Sequence, residues 1–484
     1  MPTEPTLKEK TAKGLFWGGI SNAVQQVLVF FFGIFLSRIL NAEDYGMVGL
    51  LAIFTGVANV LQESGFTAAL INRKEFKHED FNAVFWFNVL VGVGLYVILF
   101  FCAPLIADYF EQPDLIWVSR IVFLSFLFGS FGTAQAAFLM KNLMVKERAK
   151  IDVFSLLLSN TAALLMALNG MAYWGIAIQV SLYIALGTFF RWYFSPWRPS
   201  FQWNMRPLKE MFPFGAKLLI TGLFSQLSAN IFSVLLGKFY SVQQLGYYTQ
   251  GSKWTNMGGG LISGMITGVA HPIFAQVAAD PLRQVRVLRK MTRLSAFVAF
   301  PLMFGLAFVG EEFVLITVSE KWIASVPLLQ LLCVWAAFSP ICELYKNIVI
   351  SKGKSDIYMY ASILFSVVQL LVLLACLQYS IFCMVAVYVF TYFVWLMVWY
   401  RLVAKQIPLR ILDTIKDVLP FLIIVFFVLF CSWLLMGDVR NIYLRFAGKI
   451  VLSVILYIGI MGLSKAVVFR EMIRFITNKG IEND

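Results

Sequence analysis

The chain has 484 residues, of which 60% are hydrophobic, 16% aromatic and only 13% charged, too few charges to cover the surface of a soluble protein of this length. A formal charge of +13 would suit nucleic acid, but the Lys and Arg residues collect in short segments between apolar runs, which points to a membrane and excludes a nucleic-acid partner. The six cysteines, Cys102, Cys333, Cys342, Cys376, Cys383 and Cys431, lie in or beside apolar runs without a CxxC pair, so they read as packing residues and neither disulfides nor a metal site is expected.

A bilayer core takes about 20 apolar residues per helix, and windows of that length give fourteen candidate spans. The first lies at 14–38, behind the polar start "MPTEPTLKEKTAKG"; it is too long for a signal-peptide core and lacks a small-residue cleavage site, so it is expected to stay uncleaved. Five more complete a first set at 45–72, 81–107, 115–140, 151–170 and 172–194. A stretch rich in Pro, Trp and Arg, "SPWRPSFQWNMRPLKEMFPFG", follows as an interfacial linker. The second set lies at 209–237, 245–279, 291–318, 323–350, 357–377 and 379–401, and two last spans at 415–436 and 446–468.

With the N-terminus placed inside, and residues near a span's end counted with the adjoining segment, thirty of the 39 Lys and Arg residues fall on the inside and six on the outside, leaving three (Arg120, Lys217, Lys253) deeper within spans. That bias supports both termini on the cytoplasmic side. The outside six include Arg38 in "LSRILNAEDYG", Leu36 to Gly46, where an apolar run ends in an arginine before a short acidic turn. The stretch "LGKFYSVQQLG", Leu236 to Gly246, stands 200 residues later without a gap; it matches Arg38 with Lys238 and Gly46 with Gly246. Both copies close the first helix of a six-helix set, so the two sets point the same way, as a parallel duplication does. The expected architecture is an all-α integral membrane protein of 14 transmembrane helices. Its lobes, 1–194 and 209–404, surround a central cleft, joined by the linker 195–208; the two C-terminal helices and a cytoplasmic tail occupy 405–484.

Polar and charged groups inside spans are the functional candidates. Lys217 lies about eight residues into its helix, roughly 12 Å deep. Lys217, Thr221, Ser225 and Ser228 share one helical face, with Gln226 beside it. In the first lobe Ser21 and Gln25, and Asn22 and Gln26, are spaced four apart on the equivalent helix. These stripes line a shared aqueous cleft or act as hydrogen-bonding glue between helices. Lys253 and Arg120 lie nearer the outer side and either face the cleft or snorkel to the headgroups. Glu63, in "LQESGF", takes up a proton or Na⁺ or pairs with a neighbouring cation. Gly260, Gly264 and Gly268, with Pro272 behind them, suggest close helix packing or a helix soft enough to bend.

Enzymatic signatures are missing. Gly353-Lys354-Ser355 lacks the P-loop glycine five residues earlier, where Ile348 stands; the two histidines, His78 and His271, form no HExxH, and there is no GxSxG. No outside loop exceeds about ten residues on this plan, which leaves no room for an extracytoplasmic catalytic domain.

The stretch "ESGFTAALINRKEFKHEDFNAVFWFN", Glu63 to Asn88, resembles the second-to-third-helix signature of bacterial polysaccharide flippases, members of the multidrug/oligosaccharidyl-lipid/polysaccharide exporter superfamily. "FSPWRPSF" and "LGKFYSVQQLGYYTQGSKW" resemble its exopolysaccharide and colanic-acid exporter branch, and the likeness runs over about residues 10–400. One departure stands out: where such flippases often carry Asn-x-Asp, this chain has Asn230-Ile231-Phe232. The resemblance implies a bacterial inner-membrane flippase, not an enzyme. It would carry an undecaprenyl-pyrophosphate-linked oligosaccharide (an exopolysaccharide, O-antigen or capsule repeat unit) from the inner to the outer leaflet by alternating access. It implies no cofactor beyond H⁺ or Na⁺ coupling, and membrane lipids and polysaccharide polymerase or assembly proteins as partners. Lys217, Lys253 and Arg120 would then meet pyrophosphate in the cleft, while Gln, Asn and Ser meet sugar hydroxyls; Arg38 and Lys238 would wait at the outer mouth. The alternatives are a cation-coupled drug or small-molecule antiporter of the same superfamily, with Glu63 as the coupling group, and a membrane polysaccharide polymerase.

Overall fold

The computed structural model describes residues 7–63, 70, 77–201, 204 and 206–464, and not every side chain within them. All regular structure among these residues is helical. Contacts gather into two compact units, residues 1–246 and 247–484.

The first unit contains α1 (Leu7–Ile39), α2 (Ala42–Gly49), α3 (Ala52–Glu63), α4 (His78–Phe110), α5 (Leu115–Ser130), α6 (Thr133–Lys141), α7 (Val145–Leu168), α8 (Ala172–Phe194), α9 (Arg206–Phe239) and the first turn of α10 (Val242–Gln276). The described part of the span expected at 45–72 forms two helices, α2 and α3, separated at Leu50 and Leu51, both buried. The span expected at 115–140 is likewise divided, with α5 and α6 meeting at 48°. A break frees backbone carbonyls that apolar surroundings cannot solvate. Helix α8 supplies the donors: Thr188 Oγ1 bonds the Phe128 carbonyl at 3.0 Å, and Trp192 Nε1 bonds that of Phe131 at 2.7 Å.

The linker lies against the start of α4. Trp86 Nε1 donates to the Ser200 carbonyl at 2.8 Å, and the Ser200 N–H donates to Asn82 Oδ1 at 2.9 Å. Trp197 is buried beside Phe81 and Phe85, with ring centroids 5.9 Å from each.

The second unit holds the rest of α10, then α11 (Pro281–Phe308), α12 (Gly310–Thr317), a 3-10 turn (Glu320–Ser325), α13 (Val326–Ser351), α14 (Ser355–Ala375), α15 (Ile381–Ala404), α16 (Ile411–Met436) and α17 (Ile442–Leu463). Helix α11 begins ten residues before the span expected at 291, because Asp280 caps it by accepting from the Leu282 and Arg283 N–H groups and Pro281 takes the first helical position. Phe300, Met303, Leu344, Tyr345 and Trp399 form part of its apolar core. Two ion clusters tie the terminal pair to that core. Arg289 grips Asp417 of α16 through Nε at 2.7 Å and Nη2 at 3.2 Å. Glu312 of α12, buried, takes Lys449 at 2.6 Å and Arg445 at 2.8 Å from α17.

Eleven stretches among the described residues are long and apolar enough to cross a bilayer, or twelve if the bent α5–α6 pair is one span. That is fewer than the expected fourteen spans, while the seventeen α-helices among the described residues are more, because three expected spans, 45–72, 115–140 and 291–318, each hold two helices. At 35 residues α10 is long enough, but Ser252, Lys253, Thr255, Asn256 and its glycines dilute its apolar character. Parts of α9 lie outside the described side chains. Gly260 and Gly264 face open space with no packed neighbour among the described residues, and Gly268 lies outside them. All six cysteines are free, with Cys333 and Cys342 buried.

Candidate functional site

The two copies of the duplicated segment meet. Asn41 and Ser241, equivalent in the 200-residue register, precede α2 and α10 in the same way. The Asn41 N–H donates to Asp44 Oδ2 at 2.8 Å, and the Ser241 hydroxyl accepts from the Gln244 N–H at 3.2 Å. Each pair is the N-cap/N3 pairing that starts a helix. Five residues on, both helices carry a glycine, and each glycine packs on the other copy's first helical residue. A side chain on Gly46 would run into the backbone of Val242, and one on Gly246 into the carbonyl of Ala42. Ala42 and Val242 are themselves equivalent, so the contact is reciprocal, as across a two-fold axis.

From this crossing α9 runs along α3. A carbon added to Gly56 would lie 2.6 Å from Gln226 Oε1, and one added to Gly222 would lie 2.8 Å from Val60. Asn230 Nδ2 donates to Gln226 Oε1 at 3.1 Å. Small residues here let the backbones approach, and the amides satisfy each other within the seam. At the crossing end Lys238 Nζ lies 2.9 Å from Glu111 Oε1 and 5.1 Å from the Tyr109 ring. Hydrogen bonding and charge from Lys238 hold the Glu111 carboxyl below its usual range.

The structure brings some candidates together and separates others. Gln226 joins the α3–α9 seam, whereas Ser225 is exposed. Gln25 donates to Ser21 along its own helix at 2.9 Å, leaving Asn22 exposed and Gln26 half-buried on α1. Arg38 is exposed in the last turn of α1. Arg120 sits between two rings, 4.1 Å from Phe100 and 4.8 Å from Trp117, the latter 60% exposed. Lys253 belongs to the second unit, half-buried, 5.0 Å from the Trp254 ring. The backbones of Lys217, Thr221 and Glu63 are helical, but their side chains lie outside the described residues, as does that of His271. Glu111 escapes sequence reasoning because its partner Lys238 is 127 positions away. Asp417 and Glu312 escape it because they stand near helix ends, where carboxylates are ordinary.

The many helices long and apolar enough to cross a bilayer define a polytopic membrane protein. The chain belongs to the polysaccharide biosynthesis protein family, whose model matches residues 35–327. It is similar to the teichuronic acid biosynthesis protein TuaB of Bacillus subtilis (strain 168), 29% identical over 74% of this chain and 74% of that one. It is also similar to the lipopolysaccharide biosynthesis protein WzxC of Escherichia coli (strain K12), 25% identical over 73% of this chain and 72% of that one. Among solved structures, the lipid II flippase MurJ in its inward closed conformation shares the fold with a TM-score of 0.74 at 16% identity, covering 94% of this chain and 99% of that one. An inward-facing multidrug resistance transporter shares it with a TM-score of 0.63 at 14% identity, covering 79% of this chain and 95% of that one.

Proposed function

We propose that the protein is a flippase that moves an undecaprenyl-pyrophosphate-linked oligosaccharide from the inner to the outer leaflet of a bacterial cytoplasmic membrane by alternating access. Coverage carries this reading: the flippase fold extends over 94% of the chain, against 79% for the multidrug transporter. The polysaccharide relatives agree with it. In this reading α9 and α10 also cross the membrane, which makes fourteen spans, with both termini inside. The two six-helix lobes, 1–194 and 209–404, enclose the cleft. The Gly46–Gly246 crossing, the Gln226–Asn230 seam and the Lys238–Glu111 pair close its outer end, and they separate when the substrate leaves.

The transported headgroup is an anion, and Lys217, Lys253 and Arg120 are the intramembrane cations assigned to it. Arg38 and Lys238 receive it at the outer mouth. Deleting the gene should cause one lipid-linked glycan to accumulate on the inner leaflet, identified by mass spectrometry of the carrier pool. If that pool stays unchanged while drug susceptibility or ion-dependent efflux is lost, the chain is an antiporter instead, with Glu63 as its coupling carboxylate.

A further inference from the structure

We propose that a small cavity among α6, α7 and α8 binds the phosphodiester headgroup of an anionic phospholipid. The cavity, of about 130 Å³, lies within the first unit and is lined by Arg148 and Asp152 of α7, Arg191 of α8, and apolar side chains that include Leu139, Met140 and Ile151. This is room for several waters. Asp152 lines the cavity together with both guanidinium groups, and its carboxylate offsets one of their two charges. Two cations and one anion leave the cavity a formal charge of +1, which matches the single negative charge of a phosphodiester; a carrier diphosphate would bring an excess.

The surroundings suit a lipid more than a free anion. Lys146 lies 5.5 Å from the Trp17 ring, and Lys150 lies 5.6 Å from that of Phe194. Paired aromatic and basic side chains of this kind mark headgroup depth, and basic pockets between helices on the cytoplasmic side hold anionic headgroups. Met140 and Leu143, 46% and 47% exposed, offer apolar surface beside the charges for an acyl chain. The inner leaflet is assigned through the orientation proposed above; the site itself does not depend on translocation.

The test uses purified full-length protein in neutral detergent, with native mass spectrometry and thermal unfolding as readouts. Phosphatidylglycerol should remain bound and raise the Tm with concentration, while phosphatidylcholine should do neither. Arg148→Gln and Arg191→Gln should each weaken its apparent affinity about tenfold, about 1.4 kcal/mol. Asp152→Asn keeps the shape and raises the formal charge to +2, so it should bind phosphatidylglycerol more tightly; a merely structural ion cluster would show no such gain. The proposal is overturned if the arginine variants bind the lipid like the unmodified chain, if Asp152→Asn binds it no more tightly, or if inorganic phosphate gives the same shift. Displacement of phosphatidylglycerol by a polyprenyl diphosphate at equal concentration would equally overturn it and assign the cavity to the carrier.

Discussion

Gly246 shows how one residue type answers two demands at once. The Ser241–Gln244 cap fixes where α10 begins, and one turn later the backbone must lie directly against the Ala42 carbonyl. A carbonyl on a capped helix has no room to withdraw, so even alanine forces the crossing apart. Overpacking of this kind costs about 1–3 kcal/mol, which would shift the balance between closed and open outer ends about five- to a hundredfold. Gly246→Ala should therefore expose Leu50, now 1% accessible, to the outside. In a chain with its native cysteines replaced, Leu50→Cys should react with an impermeant thiol reagent far faster when Gly246→Ala is present. Equal rates would show that the crossing does not gate the outer end. The nearby Lys238–Glu111 pair should act in the same place but more weakly, because Glu111 is 82% exposed and water screens the pair. Since the folded value of Glu111 lies below the ordinary 4.5, the pair is intact above that pH and is lost as pH falls through the lower folded value. Labelling at Leu50→Cys should thus rise relative to the same position in Glu111→Gln when the external pH drops below 4.5, the comparison cancelling the loss of thiolate that acid brings to both chains. A rise of equal size in that variant would assign the pH response to another group.

At the scale of helices, the sequence is most informative where a pattern is local and least where partners are distant. Arg38 and Lys238 match by register alone, and their capping pairs follow from residues three apart. Two of the stretches that carry the family resemblance touch in the fold. Asn82 and Trp86 of "EDFNAVFWFN" hold Ser200 of "FSPWRPSF", so one motif anchors the other. Neither motif reveals this by itself, because the hydrogen bonds join positions more than a hundred residues apart. The glycines at 260 and 264 show the opposite limit, since nothing packs on them among the described residues. Their spacing is that of a packed face, but spacing does not say whether a partner helix is present. The terminal helices illustrate the same limit, since Arg289 reads as one more inside charge and Asp417 as an ordinary carboxylate near a helix start. Asp417 is 4% exposed, and removing it takes from Arg293 the carboxylate 3.7 Å away and leaves Arg289 only Asp413, at 3.3 Å. Breaking a buried pair costs about 3–5 kcal/mol; because Arg289 and Arg293 are 32% and 38% exposed, the lower end applies. Asp417→Ala should lower the Tm of the detergent-solubilised protein by several degrees, and Asp413→Ala, whose carboxylate is 29% exposed, by much less. Equal losses would mean that burial does not set the strength of this tie.

For the molecule as a whole, an inside-negative potential favours outward movement of an anion by about 2.3 kcal/mol per charge per 100 mV. An isolated anion would still meet a large barrier in hydrocarbon, so cations on the path must lower it. Lys217 and Lys253 are the two lysines assigned to the cleft, one in each of the two long helices that follow the linker; Lys449, also within a span, is held by Glu312. A charged hydrogen bond to pyrophosphate from either would contribute about 1.5–3 kcal/mol, roughly ten- to a hundredfold in binding. Lys217→Ala and Lys253→Ala should therefore reduce export about tenfold or more while leaving the protein in the membrane, and arginine at either position should restore part of it. The readout is the inner-leaflet pool of the lipid-linked glycan beside an immunoblot of the membrane fraction. Snorkelling lysines predict another pattern: alanine would lower the amount of inserted protein, and export per molecule would stay constant. Normal export from the double variant would remove the cationic cleft from the mechanism and leave the outer-end crossing to act on a substrate bound through its sugars.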